Sequence, residues 1–415
     1  MTEAFTIKNV SSRWVLDSRG TPTISATVST KNASGTALVP SGASTGVHEA
    51  VELRDGGKAF ASKGVKKAVN NINRILSPAL KGIDVRRQKE IDSKSIKLDG
   101  TKNKQRLGAN AILGVSLAAF RASAASQNKQ PFQLLKGKFT IPIPFSNVIN
   151  GGKHAGSGIE LQEFMLAPYR ARNFEGALES VCETYYELKK IIETKCGKQY
   201  TGVGDEGGFA PPLNSKEPLE LMQAAADAAG YPKMGFAIDA AASSFYKKGA
   251  YVIGGEKRTV DWMIDFYEEL VEKHKLISIE DPFHEDDWLG FTELTTALGQ
   301  KTQIVGDDLL VTNIERINKA IRLKACNALL LKVNQIGTLT EALAAAELAT
   351  KNKMTVMVSH RSGETEDAFI SDLAVGLGCG QIKAGAPCRG ERTAKYNRLL
   401  EISESVKTYA GRSVF

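Results

Sequence analysis

The sequence has few of the residues that build disulfide frameworks and zinc sites. It contains five cysteines among 415 residues, scattered from Cys182 to Cys388 without a CxxC spacing. An odd, dispersed set is typical of free thiols in a reducing compartment and excludes a disulfide-stapled secreted domain. With five histidines and no paired cysteine ligands, a structural zinc centre is not expected either.

Long apolar runs and blocks of like charge are also absent. The most apolar helical stretch, 109–120, is too short to cross a bilayer, and residues 1–14 include Glu3 and lack the apolar centre of a signal peptide. The 54 basic and 46 acidic residues give a net charge of +8, but the two signs are mixed along the chain. We expect a cytoplasmic protein that binds no membrane and no specific nucleic acid, and whose field favours a small polyanionic substrate.

Six short, apolar, β-rich runs in the second half of the chain each lead into a polar residue. These residues are Asp239, Glu280, Asp307, Lys332, His360 and Lys383. From Glu280 onward, the intervals are close to the roughly 30 residues that one βα unit occupies, and helical stretches lie between the runs. The spacing predicts parallel strands of a closed β/α barrel, with the polar side chains at the carboxyl ends, where barrel enzymes carry catalytic groups.

A single charge after a strand is often only a surface cap, but six in phase point to a site. The three carboxylates would repel one another unless a cation neutralised them, and an all-oxygen ligand set selects a hard ion such as Mg²⁺. Lys332 and Lys383 are expected two strands apart, where each lowers the pKa of the other. A neutral lysine acting as a general base then becomes feasible near physiological pH.

The first third of the chain predicts a separate α+β capping domain over residues 1–130. Its first forty residues alternate as three strands, and helical stretches follow around 61–78, 86–97 and 106–126. Prolines at 131, 142 and 144 interrupt helix, so the barrel domain is expected over residues 131–415.

Three glycine-rich loops are SGASTG at 41–46, NGGKHAGSG at 150–158 and GVGDEGG at 202–208. None has the GK[ST] ending of a P-loop, and such loops also act as lids or push one polar side chain towards a ligand. His154 and Glu206 are displayed in this way, and Glu163 is expected at the end of a GIELQEF strand. A glycine-flanked acid is often only a turn former, so Glu206 alone does not establish a site.

These segments together resemble the enolase family over essentially the whole chain. The stretches that carry the resemblance include VLDSRGTPT at 15–23, VPSGASTGVHEAVELRDG at 39–56, GDEGGFAP at 204–211, IEDPFHEDDW at 279–288, SHRSGETED at 359–367 and GQIKAGAP at 380–387. The resemblance implies a small capping domain, a modified (β/α)₈ barrel of order ββαα(βα)₆, and a homodimer or assembly of dimers. It also implies reversible, Mg²⁺-dependent dehydration of 2-phosphoglycerate to phosphoenolpyruvate.

The resemblance also implies roles for particular residues. Asp239, Glu280 and Asp307 would hold the first Mg²⁺, and Ser44 would contribute to a second that binds with substrate. Lys332 would remove the C2 proton, and Glu206, assisted by Glu163, would protonate the departing C3 hydroxyl. A glutamic acid can do this only when it carries a proton, so a raised pKa is expected at Glu206.

The remaining implied residues contact the substrate. They are His154, Gln162, Glu163 and His360, which would line the closed site, Arg361 and Ser362, which would bind the phosphate, and Lys383, which would bind the carboxylate. Two alternatives stay open: a non-catalytic scaffold built on this fold, and a superfamily enzyme acting on another carboxylate. The phosphate-site segment SHRSGETED disfavours the second.

Overall fold

The computed structural model describes residues 3–42, 46–156 and 158–414. Its N-terminal part is a three-stranded antiparallel sheet followed by helices. The strands are β1 (Asn9–Leu16), β2 (Pro22–Ser29) and β3 (Ser34–Leu38). The helices are α1 (Lys66–Asn71), α2 (Ser77–Leu80), α3 (Gln88–Asp99) and α4 (Ala109–Ser126), and a π-helical turn, Ile72–Leu76, joins α1 to α2.

Helix α4 is apolar on nearly every face because it is enclosed on nearly every side. One side packs on β2 and β3, and another meets the segments that lead into the barrel. Its one charged residue, Arg121, donates from both terminal nitrogens to Asp367 at 2.5 and 2.6 Å. Since Asp367 belongs to the barrel, this partly buried ion pair ties the small sheet and its helix to the larger part of the molecule.

The chain after residue 140 alternates strands and helices. Its strands are β4 (Ile143–Asn150), β5 (Glu163–Ala167), β6 (Gly235–Asp239), β7 (Tyr246–Lys247), β8 (Ala250–Ile253), β9 (Glu256–Arg258), β10 (Leu276–Glu280), β11 (Gln303–Gly306), β12 (Ala328–Leu331), β13 (Thr355–Ser359) and β14 (Gly380–Lys383). Its helices are α5 (Phe174–Cys196), α6 (Glu217–Ala228), α7 (Val260–His274), α8 (Trp288–Leu298), α9 (Ile314–Leu323), α10 (Val333–Ile336), α11 (Leu339–Lys351), α12 (Phe369–Leu377) and α13 (Gly390–Ser403).

Eight of these strands close into a barrel in the order β10-β11-β12-β13-β14-β4-β5-β6, and β7 to β9 form a small separate sheet. Neighbouring barrel strands are parallel except at β5, which is antiparallel to both β4 and β6. Two helices follow the β4–β5 pair, and six strand–helix units complete the ring. The predicted barrel with a capping α+β region, and the order ββαα(βα)₆, are confirmed.

The barrel interior is filled below the site by an apolar cluster. It includes Phe145, Met165, Leu330 and Met357, all essentially inaccessible to solvent. Helices that follow strands begin at side-chain caps: Thr338, for example, accepts from the Glu341 amide at 3.2 Å at the start of α11. Within the described parts of the chain, no helix combines the length and hydrophobicity needed to cross a membrane.

Candidate active site

Five of the side chains predicted at strand ends point into the mouth of the barrel, because successive side chains of a strand alternate between its two faces. They are Asp239, Glu280, Asp307, Lys332 and Lys383. In a strand, residues two positions apart share a face. Ala237, Val305 and Leu330 lie two positions before Asp239, Asp307 and Lys332, and all three belong to the apolar cluster inside the barrel. The same alternation therefore produces the barrel core and, one layer higher, the polar site.

Glu163 reaches this layer in a different way from the one expected. The expectation that it ends a strand is wrong, because it is the first residue of β5. Since β5 runs antiparallel to its neighbours, its beginning lies at the same end of the barrel as the carboxyl ends of the others. Glu163 pairs in register with Asp239 on one side and with Asn150 on the other.

Lys383 lies at the centre of the acidic layer. Its Nζ is 3.0 Å from Glu163, 3.2 Å from Asp239 and 2.9 Å from Glu280. All four side chains are almost completely buried. A buried carboxylate is costly unless a cation or hydrogen bond compensates it, and one ammonium group here serves three.

Lys332 and Asp307 form a second buried contact beside this group. The Lys332 ammonium donates to Oδ2 of Asp307 at short range, and the Gln335 amide donates to Oδ1 at 2.8 Å. Gln335 is itself held by the Thr312 hydroxyl at 3.1 Å. Asp307 is therefore oriented by residues from the helical turn α10 as well as by its own strand.

The expected lowering of one lysine's pKa by the other acts at Lys332, but the net pKa of both lysines is raised in this arrangement. Burial is the largest single cause and lowers the pKa of Lys332, but the Asp307 and Glu280 carboxylates raise it, so that the net pKa lies above the ordinary value despite burial, Arg361 and Lys383. Burial likewise acts on Lys383, yet Asp239, Glu163 and Glu280 hold its pKa well above the ordinary value. At both lysines the surrounding carboxylates outweigh the mutual repulsion and raise the pKa.

His154 stands between two glutamates on the other side of the barrel mouth. Its Nδ1 lies 3.7 Å from Oε1 of Glu163 and 3.7 Å from Oε1 of Glu206. Oε2 of Glu206 faces other partners: the Asn147 amide donates to it at 3.1 Å, and Nε2 of His360 lies 3.3 Å away. The loop 202–208 thus brings Glu206 to the strand-end layer, as expected for a displayed residue rather than a turn former.

The two glutamates differ in proton affinity. Burial and the neighbouring Glu206 charge raise the pKa of Glu163 well above its ordinary value. Burial also favours the protonated form of Glu206, but the His360 and His154 imidazoles outweigh it and lower the pKa. The expectation of a raised pKa at Glu206 is therefore wrong here, and the raised pKa of the pair belongs to Glu163.

Arg361 meets an anion supplied by the N-terminal part of the chain. Its two terminal nitrogens each donate at 3.0 Å to the Glu49 carboxylate, and one also contacts Asn334 at 3.0 Å. Glu49 follows the SGASTG segment in the sequence. Ser44, the predicted ligand in it, lies outside the described residues.

The predicted residues that the structure brings together line one small cavity. Its walls are His154, Gln162, Glu163, Glu206, Asp239, Lys332, Ser359, His360, Arg361, Ser362 and Lys383. Glu280 and Asp307 lie beside it through their contacts with Lys383 and Lys332. Every predicted site residue within the described ranges therefore belongs to one neighbourhood.

Four further residues of this neighbourhood were missed by sequence reasoning. They are Glu49, Asn147, Gln335 and Arg392. For Asn147 a signal exists, because it continues the inward alternation of Ile143 and Phe145 on β4. The other three act across the fold and leave no local pattern.

The predicted cation ligands suit a hard cation. Asp239 and Glu280 are paired in register on adjacent strands, and Asp307 follows the next strand along. Burial and the Asp239 charge raise the pKa of Glu280 well above its ordinary value, so a positive ion between them would relieve repulsion. All ligand atoms are oxygens, as Mg²⁺ prefers.

Among the described residues, the ligand atoms of Asp239, Glu280 and Asp307 do not all lie within 4.8 Å of one another, whereas those of two other groups do. They are His154–Glu163–Glu206 and Asp281–Asp307–Asp308. Asp281 already accepts the backbone amides of Asp307 at 2.9 Å and Asp308 at 2.7 Å. Its carboxylate therefore holds the end of β11 in place.

The fold and this cavity define a class: a β/α-barrel enzyme whose acidic layer can hold a cation beside an anionic substrate. Comparison with known proteins identifies the family within this class. Residues 138–415 match the family described as "Enolase, C-terminal TIM barrel domain", and residues 7–135 match "Enolase, N-terminal domain".

Individual relatives agree over nearly their full length. The enolase of Methanocaldococcus jannaschii is 54% identical, with 100% of this chain and 99% of the relative aligned. The enolases of Thermococcus gammatolerans and Corynebacterium kroppenstedtii are 54% and 52% identical, each over 99% of this chain and over 97% and 98% of the relative. The chain belongs to the enolase family.

Proposed function

We propose that this member of the enolase family uses Lys332 as its base and Glu206 as its acid. The reaction is the reversible dehydration of 2-phosphoglycerate to phosphoenolpyruvate, which makes the protein a hydro-lyase. The order of the strands in the barrel supports this assignment. Lys332 follows β12 and Glu163 begins β5, and these two strands are four positions apart in the ring of eight. Because Glu206 lies beside Glu163, base and acid act from opposite sides of the substrate.

Two Mg²⁺ ions per active site are part of the proposal. Asp239, Glu280 and Asp307 would hold the first, and their burial on three neighbouring strands supports this. Ser44 would contribute to the second. When bound, the ions stabilise the negative charge that develops on the substrate carboxylate as the C2 proton leaves.

Lys332 must be neutral when it accepts the C2 proton. Asp307 raises its pKa, whereas burial, Arg361 and Lys383 lower it. The strength of the Asp307 contact therefore controls whether Lys332 is available as a base.

Glu206 must carry a proton when the C3 hydroxyl departs. Glu163 holds the proton of the pair, and the Oε1 atoms of both glutamates lie 3.7 Å from the same His154 nitrogen. Glu163 assists by supplying that proton to Glu206, which delivers it to the leaving oxygen.

The anionic groups of the substrate bind to cations of the cavity. Arg361 and Ser362 take the phosphate, and the bidentate contact between Arg361 and Glu49 supports this, because the same donor pair fits phosphate oxygens. Lys383 takes the substrate carboxylate, and His154, Gln162 and His360 complete the walls.

The base and acid roles can be separated by NMR of 2-phosphoglycerate in D₂O. Lys332→Ala should stop both hydrogen exchange at C2 and dehydration, because both need the base. Glu206→Gln keeps size and polarity but cannot donate the proton, so dehydration should fall while C2 exchange survives. A chelator should abolish both reactions, and Mg²⁺ should restore them.

Two outcomes would contradict these assignments. If Lys332→Ala still exchanged C2 at the wild-type rate while Glu206→Gln did not, the two roles would have to be reversed. If wild-type turnover were unchanged in metal-free buffer, the metal part of the proposal would fail.

We further propose that the protein is a cytoplasmic homodimer. Each subunit consists of two domains, residues 1–130 and residues 131–415. All five cysteines are free, which agrees with a reducing compartment. Strand β1 exposes Trp14 and Leu16 at 46% and 54%, and Trp14 lies against the equally exposed Phe60 with ring centroids 5.7 Å apart. Large apolar side chains clustered on an exposed strand favour an association surface there.

A further inference from the structure

Arg392 is a completely buried arginine. It contacts residues of the site but does not itself line the cavity. It lies in the first turn of α13, and its side chain has no measurable exposure to solvent. Buried arginines are rare unless each donor has a partner. Here the partners of the two terminal nitrogens belong to segments that carry proposed site residues, while Nε has no hydrogen-bond partner among the described residues.

The guanidinium group joins two such segments through three backbone carbonyls. Nη1 donates to the Arg361 carbonyl at 2.6 Å, and Nη2 donates to the carbonyls of Asp205 at 2.9 Å and Ser362 at 2.7 Å. Asp205 precedes Glu206, so the acid loop and the proposed phosphate-binding segment are held by the same side chain.

A glycine makes room for this arrangement. At Gly385, which has φ +82°, a Cβ atom would lie 2.8 Å from Cδ of Arg392 and 2.8 Å from the Glu206 carbonyl oxygen. The backbone after β14 can therefore pass between the arginine and the acid loop only without a side chain.

The contact between Arg392 and His360 indicates which nitrogen of the His360 ring carries the proton. Nη1 of Arg392 lies 2.6 Å from Nδ1 of His360. An arginine side chain is always protonated and can only donate, so Nδ1 must be the accepting, unprotonated nitrogen. The ring proton is then on Nε2, the atom that faces Oε2 of Glu206 at 3.3 Å.

Oε2 of Glu206 therefore faces two donors. The second is the Asn147 amide at 3.1 Å, and Asn147 is oriented by its own contact with Asn150 at 2.9 Å. A carboxyl oxygen that faces two donors is a poor place for a proton. Oε1 faces Nδ1 of His154 instead, on the side of Glu163.

We propose that Arg392 is a positioning residue that fixes His360 as the neutral Nε2–H tautomer, so that Oε2 of Glu206 only accepts hydrogen bonds and Oε1 carries the transferable proton. This rests on the proposed role of Glu206 and deepens it by naming the oxygen. The charged groups facing His360 are Arg392, Glu206 and Lys383. Burial is the main cause that lowers the pKa of His360 to about 3, and Arg392 adds to it against the opposing Glu206 charge.

The decisive measurement is the tautomer of His360. Long-range ¹H–¹⁵N NMR of histidine-labelled protein distinguishes a protonated Nε2 from a protonated Nδ1, and five histidines make the spectrum tractable. His360→Gln identifies the signal. We expect wild-type His360 to be neutral with its proton on Nε2 between pH 5 and pH 8, because its pKa lies far below that range. A ring protonated on Nδ1, or on both nitrogens, would overturn the proposal whatever the activity.

The variant Arg392→Lys tests the consequence for the reaction. Lysine keeps the charge but cannot reach Nδ1 and three carbonyls together. The His360 signal should lose its single tautomer, and dehydration of 2-phosphoglycerate should fall about tenfold or more while C2 exchange stays within about twofold. Equal loss of both rates, or an unchanged ring signal, would leave Arg392 with a structural role and refute the proposal.

Arg398→Lys is the matched control on the same helix. Arg398 pairs with Asp372 at 2.7 Å, away from His360, so the ring signal and both rates should remain at wild-type values. If Arg392→Lys does not fold, the wild-type ring spectrum alone decides. If the wild-type protein neither exchanges C2 nor dehydrates, the proposed function fails, while the ring spectrum still tests the tautomer.

Discussion

At the scale of the residue, Lys383 controls the electrostatics of the acidic layer. One ammonium lies within 3.2 Å of three buried carboxylates that belong to different strands. The pKa of Glu163 and that of Glu280 are raised even with the lysine present, because burial and mutual repulsion favour their protonated forms. The acidic layer can therefore accept further positive charge. Without that charge, the repulsion between its carboxylates lowers the stability of the protein.

Replacing Lys383 with Met should destabilise the protein by about 3 kcal/mol in chelator, because breaking one partner of a buried pair leaves uncompensated charge. This loss of stability lies near the lower end of the range of about 3–5 kcal/mol for breaking a buried ion pair, because Glu163 and Glu280 can take up protons. Added Mg²⁺ should restore more stability to the variant than it adds to wild type. Urea unfolding followed by circular dichroism measures both effects.

Lys190→Met is the control for that experiment. Lys190 contacts Glu187 at 2.7 Å on the surface of α5, and its side chain is 69% exposed. An exposed pair contributes only about 0–1 kcal/mol. Equal, small losses for the two variants would contradict the compensating role of Lys383.

At the scale of the element, the packing of β3 on α4 depends on a missing side chain. A Cβ atom at Gly35 would lie 2.2 Å from the Ala122 nitrogen and 2.4 Å from the Ala118 oxygen. Both atoms are helix backbone and cannot rotate away. Strand and helix therefore approach as closely as their main chains allow.

Gly35→Ala should cost about 3 kcal/mol, near the upper end of typical overpacking penalties, because either β3 or α4 must shift. Thermal or urea unfolding checks it. Gly202→Ala is the matched substitution: its φ is −65° and nothing lies within 4 Å of the added Cβ. That variant should be neutral or slightly stabilised, and a comparable loss at both positions would disprove the packing argument.

At the scale of the whole molecule, the small sheet and the barrel are joined by the Arg121–Asp367 pair. Asp367 also accepts the Leu38 amide at 2.9 Å and the Phe369 amide at 2.9 Å, so it contacts both parts of the chain. Burial by itself raises the pKa of Asp367, but Arg121 and these hydrogen bonds lower it below its ordinary value. A depressed carboxyl pKa means that folding favours the charged form.

This pair predicts a defined pH dependence. Its stabilisation is fully present above the unfolded carboxyl pKa of about 4 and is lost as the pH falls through the lower folded value. Asp367→Asn should therefore lower stability by about 3 kcal/mol at pH 7, by the same amount at pH 5, and by progressively less below pH 4. Urea midpoints at each pH test this, and a difference that grew on acidification would have the wrong sign.

Assembly is the second property at this scale. If β1 forms the contact, Trp14→Glu should raise the monomer fraction, because a charge would enter an apolar interface. Light scattering at micromolar concentration measures the mass. A monomeric wild-type protein would refute the dimer.

Several features were predictable because they are local. Alternation and spacing located the strands that end at Asp239 and Glu280 and the strand that leads into Lys332, since a period of two and a βα repeat can be recognised from neighbouring residues. Glu163 was assigned to the wrong end of its strand, because a strand that runs antiparallel in the barrel looks the same in sequence. Arg392 was missed, since its contacts with His360 and Asp205 depend on how distant segments pack.

By itself, the sequence determined the barrel, the polar residues at its mouth and the family, because these follow from local periodicity and from long shared segments. The tertiary structure alone decided the directions of the pKa shifts, which are upward at both lysines and at Glu163 and downward at Glu206 and His360. The reason is physical. A pKa depends on distance and burial, and the groups that set it at Lys332, Glu206 and His360 come from segments far apart in the chain.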